Sequence, residues 1–510
     1  MSKRIVIIGG GIAGLCAGVY AQACGYQVDV IERHSEAGGL ATSWQRGGYT
    51  FENCLQWLVG SRPGGELHAL WQEVFDIDRL TFVNHDEFTR LEKENGETLR
   101  IYADVDRLEA ELLAKAPQDR EPILELTQAI RRCTDMALPD FDLPWPQLAL
   151  AFLRLAPRLP MLQHWTGMSG DDYAQGFKHD LLRRFFSDGA MGRMSAVAVL
   201  FTLAWQNDRN AGYALGGSRA IIDAIAARFG ALGGHLRLGK AAVEILVEDD
   251  TAIGVRLDDG STITADWVIS AADGHATIHQ LLKGRYRDRA LDERYEQTPT
   301  FPSYLQVSLG VACALPGEPG LISLVLDAPL QLDPQTTLDT LSIRIFNFDP
   351  SFAPPGKTAI TCFLPTENHA YWIELRRDEP GRYAAEKARV AEAVLAILER
   401  RLPEIIGHIE VTDVATPASV VRFTGNWKGS MEGWIMTPSN VLAPLHQQLP
   451  GLRRFLMAGQ WVRPGGGLPS GLMTGRAAVQ AICREDGIAF RPPGMVAGPD
   501  GTMAGSRVAK

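Results

Sequence analysis

The sequence predicts an α/β protein: a discontinuous, Rossmann-like nucleotide-binding domain, a mixed α+β substrate domain and a helical cap or lid. Three observations carry this. An apolar strand, a glycine loop and a helix open the chain at "KRIVIIGGGIAGLCAGVYAQACG", Lys3 to Gly25. The same strand-and-helix character returns after residue 211 and again near residue 455. The 510 residues also exceed what one compact core holds, so two or three domains are expected.

The elements follow in order. "KRIVIIG" is short, apolar and rich in Ile and Val, as a parallel strand buried on both faces must be. The next fifteen residues are helical in composition and stop at Gly25, and "YQVDVIE", Tyr26 to Glu32, is a second strand. Residues 1–103 are therefore the first part of the nucleotide domain. Charged and apolar residues interleave helically over 104–210, with proline breaks at "LPDFDLPWP", and this segment reads as the lid. From 211 to 285 the nucleotide domain resumes with a glycine-led helix, three short alternating strands turning at "EDDT" and "DDGS", and the apolar strand "WVISAAD". Strands "SYLQVSLGVAC", "SIRIFNF" and "TAITCFL" and the helix "RYAAEKARVAEAVLAILERRL" make 286–410 the substrate domain. The third nucleotide-domain part, 411–486, holds the strand "LRRFLMAGQ" and a second glycine loop, and 487–510 reads as a disordered Gly/Pro-rich tail.

Composition excludes several classes. A net charge of −10 with no long basic run argues against a nucleic-acid partner, which needs clustered Lys and Arg. Seven scattered cysteines without C-x-x-C fit a reducing, cytoplasmic setting. The N-terminal apolar run is too short for a signal peptide, and no stretch reaches the roughly 20 apolar residues that span a bilayer. Eleven histidines contain no H-E-x-x-H, so no metal is expected. "PPGKT" lacks the first glycine of a phosphate loop, and no G-x-S-x-G occurs.

Gly9-x-Gly11-x-x-Gly14 lies between a strand and a helix, the context that gives the pattern meaning. Gly9 permits the turn, Gly11 lets backbone approach a pyrophosphate, and Gly14 lets helix and strand pack closely. The phosphates then meet the unsatisfied N–H groups and positive end of the helix. Glu32 ends the second strand where a carboxylate can hold a ribose diol. This pattern alone does not separate NAD from FAD.

With the doublet Gly38-Gly39, "GGYTFEN", "YALGGSRAIIDAIA", the strands over 234–273 and the closing "GQWVRPGGGLPSG", the chain resembles the amine-oxidase-like flavoproteins. Within them it is most similar to the branch of phytoene desaturases, carotenoid isomerases and retinol saturases. The resemblance implies FAD, with Gly9, Gly11, Ile12, Ala13 and Gly14 at its pyrophosphate and Glu32 and Arg33 at its ribose. It also implies Gly38, Gly39 and Leu40 beside the flavin half and the Val243 backbone at the adenine. Relatives often carry Arg where this chain has Leu40.

The second loop also opens a helix. Gly459, Gln460, Gly467 and Leu468 are thus expected at the flavin ring, where a helix N-terminus offsets negative charge on the reduced form. Gln460 stands where relatives often place an acid. Cys54, in "FENC", reads as a buried small apolar side chain rather than a redox group. The implied activity is desaturation, saturation or isomerisation of C–C or C=C bonds in a long, apolar carotenoid- or isoprenoid-like substrate. An amine-oxidase-like flavoenzyme is the alternative within the fold. The non-enzyme alternative is prenyl binding like that of Rab GDP-dissociation inhibitors. No motif identifies catalytic residues or the electron acceptor. The apolar stretch 144–165, bracketed by tryptophans, fits either a peripheral membrane contact or buried helices.

Overall fold

The computed structural model describes residues 2–134, 136, 155–443 and 446–494. Its organising layer is a five-stranded parallel sheet. Strand β1 (Arg4–Ile8) runs into the first glycine loop and helix α1 (Ile12–Ala23), and β2 (Gln27–Ile31) returns beside it. Helix α2 (Gly217–Ala231) precedes β3 (His235–Arg237), which pairs with β2. On the other side of β1 lie β4 (Trp267–Ser270) and β5 (Phe455–Met457), giving the order β3-β2-β1-β4-β5. Helix α3 (Gly467–Asp486) follows β5 and packs along α1.

Helix α1 is buried on nearly every side because the sheet, α2 and α3 all press on it. Its small residues let that happen: a Cβ on Gly14 would overlap the Gly9 carbonyl oxygen, and one on Gly18 would come within 2.9 Å of the Phe229 ring. Ile5, Ile7, Leu15, Val19, Val28, Ile225 and Val479 fill the resulting core.

A seven-stranded sheet forms the second layer. Its order is Ile409–Ala415, Ser303–Val311, Thr358–Thr366, Thr336–Ile345, Leu321–Asp333, Glu87–Lys93, Thr98–Tyr102. All neighbours are antiparallel except Leu321–Asp333 with Glu87–Lys93. The helix Pro380–Arg401 covers one face through Val390, Val394 and Leu398. Residues 87–102 thus belong to this sheet, although the sequence boundary at 103 assigns them to the nucleotide domain. Their pairing partner lies more than 200 residues away, so no local pattern reveals it.

Helices over 105–133 and 155–207 share a third core around Trp165, Tyr173, Phe177 and Phe186. Of the apolar stretch 144–165, residues 144–154 lie outside the described residues. The remainder is exposed over 156–160 and anchored by buried Trp165. No helix among the described residues is long and apolar enough to cross a membrane.

The segment 487–494, expected to begin a disordered tail, instead lies against α1. The Phe490 ring sits 5.7 Å from that of Tyr20, and the Arg491 N–H donates to Cys24 Sγ at 3.4 Å. The rest of that expected tail, 495–510, lies outside the described residues.

Candidate active site

The two glycine loops face each other. Both end at helix N-termini that have no side-chain cap and no acidic residue in the first turn, so both ends present unneutralised N–H groups. Gly471 and Gly475 of α3 fit against Ile12, Ala13 and Ala17 of α1; a Cβ on Gly475 would come within 2.6 Å of the Ala13 carbonyl oxygen. A Cβ on Gly459 would lie 3.6 Å from that of Ala13.

Around the first loop the fold gathers several expected residues. The Glu32 carboxylate accepts from Gly10 N–H and His34 N–H, each at 2.8 Å, and is buried. Gly38 donates to the Gly10 carbonyl at 2.9 Å, which lays the doublet Gly38-Gly39 beside the loop. Gly11 has an ordinary φ of −76°, and an added Cβ would meet nothing closer than the Gly38 carbonyl oxygen at 3.6 Å. The protein's own packing therefore does not require glycine there; a group approaching the backbone would. Val243 sits in the strand Ala242–Glu248 at a break in register, where Ala242 pairs with Leu257 and Glu244 with Arg256. It is 45% exposed. Arg33 is exposed and points to Gly425.

Around the second loop, Gly459 N–H donates to Thr474 Oγ1 at 2.9 Å, and Gln460 Nε2 donates to Asn426 Oδ1 at 3.0 Å. Trp461 Nε1 donates to the same Asn426 oxygen. Gly467 opens α3 and Leu468 is buried beneath it. Leu40 packs beside Tyr304, Phe363 and Met431.

Two functional groups have no sequence motif. The first is Arg344, on the strand Thr336–Ile345. It donates to the Leu55 carbonyl at 3.5 Å and lies 4.4 Å over the Phe363 ring, and with its amide turned Gln56 accepts from Arg344 Nε at 3.2 Å. Burial pulls Arg344 down to about 10, so it stays charged. The second is Glu432, beside Gly466. Burial pushes its carboxyl up to about 7, against the opposing pull of Arg344. Cys54 faces both, and burial pushes its thiol up, so the side chain is neutral. Glu52 is fully buried at the start of α2 and receives bonds from Cys54 N–H, Leu55 N–H, Ser218 N–H and Ser218 Oγ. Ser218 lies 166 residues from Glu52, and Arg344 and Glu432 converge from separate segments, so no local motif shows any of these groups.

Arg344 also lines a narrow cleft of about 50 Å³, with the rings of Trp57, Phe88, Tyr213, Phe346 and Phe348 and the polar side chains of Gln56, His85, Glu87 and Gln206. A wider depression over residues 284–296 is lined by charged side chains and touches neither loop. No cluster of three metal-ligating side chains occurs among the described residues.

A parallel sheet with two opposed glycine-led helix N-termini defines the class of dinucleotide-dependent oxidoreductases. The model of the flavin containing amine oxidoreductase family matches residues 12–483, and the chain belongs to that family. It is an FAD-dependent oxidoreductase. Among similar proteins is a 4,4'-diapophytoene desaturase (4,4'-diapolycopene-forming) of Methylomonas sp, 25% identical over 96% of this chain and 97% of its own length. A chloroplastic prolycopene isomerase of Arabidopsis thaliana is 27% identical over 83% of this chain and 73% of its own. The crystal structure of an oxidoreductase from Methanosarcina mazei shares the fold, with a TM-score of 0.62 at 17% identity over 94% of this chain and 100% of that one.

Proposed function

We propose that this enzyme changes C–C or C=C bonds in a long, apolar carotenoid- or isoprenoid-like substrate, with desaturation as the forward reaction. The observation that carries this is the cleft lined by Trp57, Phe88, Tyr213, Phe346, Phe348 and the buried Arg344. A conjugated chain finds ring faces there. When bound, FAD supplies a two-electron oxidant for a C–C bond or, once reduced, the reverse saturation.

The five-stranded parallel sheet is then the Rossmann-like FAD-binding domain. Gly9, Gly11, Ile12, Ala13 and Gly14 hold the pyrophosphate, Glu32 and Arg33 the ribose, and the Val243 backbone the adenine. Gly38, Gly39 and Leu40 pass the flavin half on one side; Gly459, Gln460, Gly467 and Leu468 meet it on the other. Apolar walls exclude water, and Gln460, tied to Asn426, holds its place without adding charge. The exposed run 156–160, which includes Leu159, suits contact with a membrane surface from which an apolar substrate is drawn.

The test is anaerobic mixing of the FAD-loaded protein with phytoene, 4,4'-diapophytoene and prolycopene, following flavin absorbance and product chromatography. Loss of oxidised-flavin absorbance with a longer polyene as product is expected. Bleaching by simple amines alone would move the assignment to the amine-oxidase-like reading, and a folded protein that takes up no flavin would leave the prenyl-binding one.

A further inference from the structure

The ring-lined cleft is not uniformly apolar, and its polar members differ in how they are engaged. Glu87 accepts from Arg90 Nε at 2.8 Å and Arg90 Nη2 at 2.9 Å, so its charge is met within the protein. Gln206 Nε2 donates to the Ala211 carbonyl at 3.2 Å. The His85 ring stands edge-on to Phe348, centroids 4.4 Å apart, and burial pulls its pKa down, so it is neutral.

Arg344 is engaged only in part. It is 7% exposed and lies inside the seven-stranded sheet, with the strands Thr358–Thr366 and Leu321–Asp333 on either side. With its amide turned, Gln56 accepts from Arg344 Nε at 3.2 Å and from Nη2, and Arg344 Nη1 reaches the Leu55 carbonyl at 3.5 Å. A guanidinium carries two N–H groups on each terminal nitrogen, so one on Nη1 and one on Nη2 remain open. The Glu52 carboxyl exerts the strongest pull of any charge on Arg344, but through space. Its oxygens take Cys54 N–H, Leu55 N–H, Ser218 N–H and Ser218 Oγ instead. Glu432 also acts on Arg344 by charge alone.

Tyr213, in the same cleft, holds another open donor. It is 2% exposed, its ring is packed by Phe346 and Phe348 at centroid distances of 6.2 and 5.0 Å, and its buried hydroxyl has no hydrogen-bond partner. A cation and a hydroxyl withdrawn from water with donors to spare cost stability. Ring faces hold an apolar chain but let it slide, whereas a few fixed polar groups give it one register.

We propose that Arg344, assisted by Tyr213, seats a carboxylate at the end of an otherwise apolar polyene substrate, and so fixes how far the chain enters the cleft. This rests on the reading above, in which the cleft takes the substrate. The open N–H groups on Nη1 and Nη2 form a pair of donors that the two oxygens of a carboxylate match, and its charge offsets that of the buried guanidinium. A hydrocarbon end leaves these donors bare. The acid end is a handle: the bonds that change are those of the chain.

The test is equilibrium binding to the FAD-loaded protein, followed by quenching of tryptophan fluorescence. The probes are crocetin, a linear polyene with a carboxylate at each end, its dialdehyde and its dimethyl ester. Crocetin should bind the wild type at least about 10-fold more tightly than either neutral form. Arg344→Met should lose that preference while ester binding stays within about twofold. Arg344→Lys, a point charge without the fork, should keep part of it. Tyr213→Phe removes only a hydroxyl and should weaken crocetin by about threefold. A second readout needs no variant: infrared spectra of crocetin isotope-labelled at its carboxyl carbons should show shifted carboxylate stretches on binding to the wild type.

Equal binding of acid and ester by the wild type would overturn the inference, as would an acid preference that survives in folded Arg344→Met. An aldehyde as tight as the acid would overturn it too, because the site would then be reading a neutral carbonyl. Failure of the underlying reading looks different: crocetin keeps its Arg344-dependent preference, but neither it nor 4,4'-diapophytoene gains or loses a C=C bond. Turnover of 4,4'-diapophytoene with no preference for acid ends would leave desaturation standing and refute the carboxylate seat.

Discussion

The two glycine loops end at helices that lie side by side, but different parts of the chain hold them. The first is pinned by backbone against backbone: Gly9, at φ +101°, would put a Cβ 2.9 Å from the Ala271 carbonyl oxygen. The second is lined by side chains and by the segment 431–436. A Cβ on Gly465 would meet only Met436, and one on Gly466 would meet Glu432. The first loop's shape is thus a property of the parallel sheet, whereas the second's depends on the neighbouring segment 431–436. A phosphate site can be rigid and shared across relatives; a ring-and-substrate site must fit one chemistry.

Substitutions can break that contrast, beginning with the most damaging. Gly14→Ala places a Cβ on the Gly9 carbonyl with no side chain able to yield, and should cost more than about 3 kcal/mol, seen as loss of soluble folded protein. Gly475→Ala, 2.6 Å from the Ala13 oxygen and 3.0 Å from the Ala17 nitrogen, should spread α1 from α3. Its expected cost is about 2 kcal/mol, read as a lower thermal midpoint with or without FAD. Gly459→Ala meets little but is held at φ +100°, so a strain of about 1 kcal/mol is expected in chemical denaturation.

Gly11→Ala should be the sharpest case. With room for the methyl and a normal φ, the flavin-free protein should keep its stability within about 0.5 kcal/mol while FAD retention after gel filtration is lost. Equal losses of stability and flavin would show that the loop needs glycine for its own packing. Smallest of all, Cys54→Ser should leave the flavin spectrum unchanged and the rate within about threefold, because burial keeps the thiol neutral.

Much of the nucleotide half was legible because its signals are local. Strand, turn, helix and acid occur within 32 residues, and the strand Gln27–Ile31 and Glu32 stand where that spacing puts them. The seven-stranded sheet was legible only in part. The strand Leu321–Asp333 carries Asp327 and Pro329, and Glu87–Lys93 alternates charged and apolar residues, so neither resembles a buried strand. They pair with each other across a long excursion of chain. Glu432 was invisible for another reason. In "GSMEGW" it is one acid among many, and what sets it apart is its place beside Gly466 and near Arg344, which only the folded arrangement decides.

The contact of α1 with α3 also sets a timetable. Helix α1 is made long before the glycine face that completes its packing, which arrives with Gly471 and Gly475. Through most of synthesis the nascent nucleotide half lacks both the last strand of its sheet and the wall against which α1 rests. Pairings of such sequence separation form late, so the packing of α1 against α3 closes only after Gly467–Asp486 has been made.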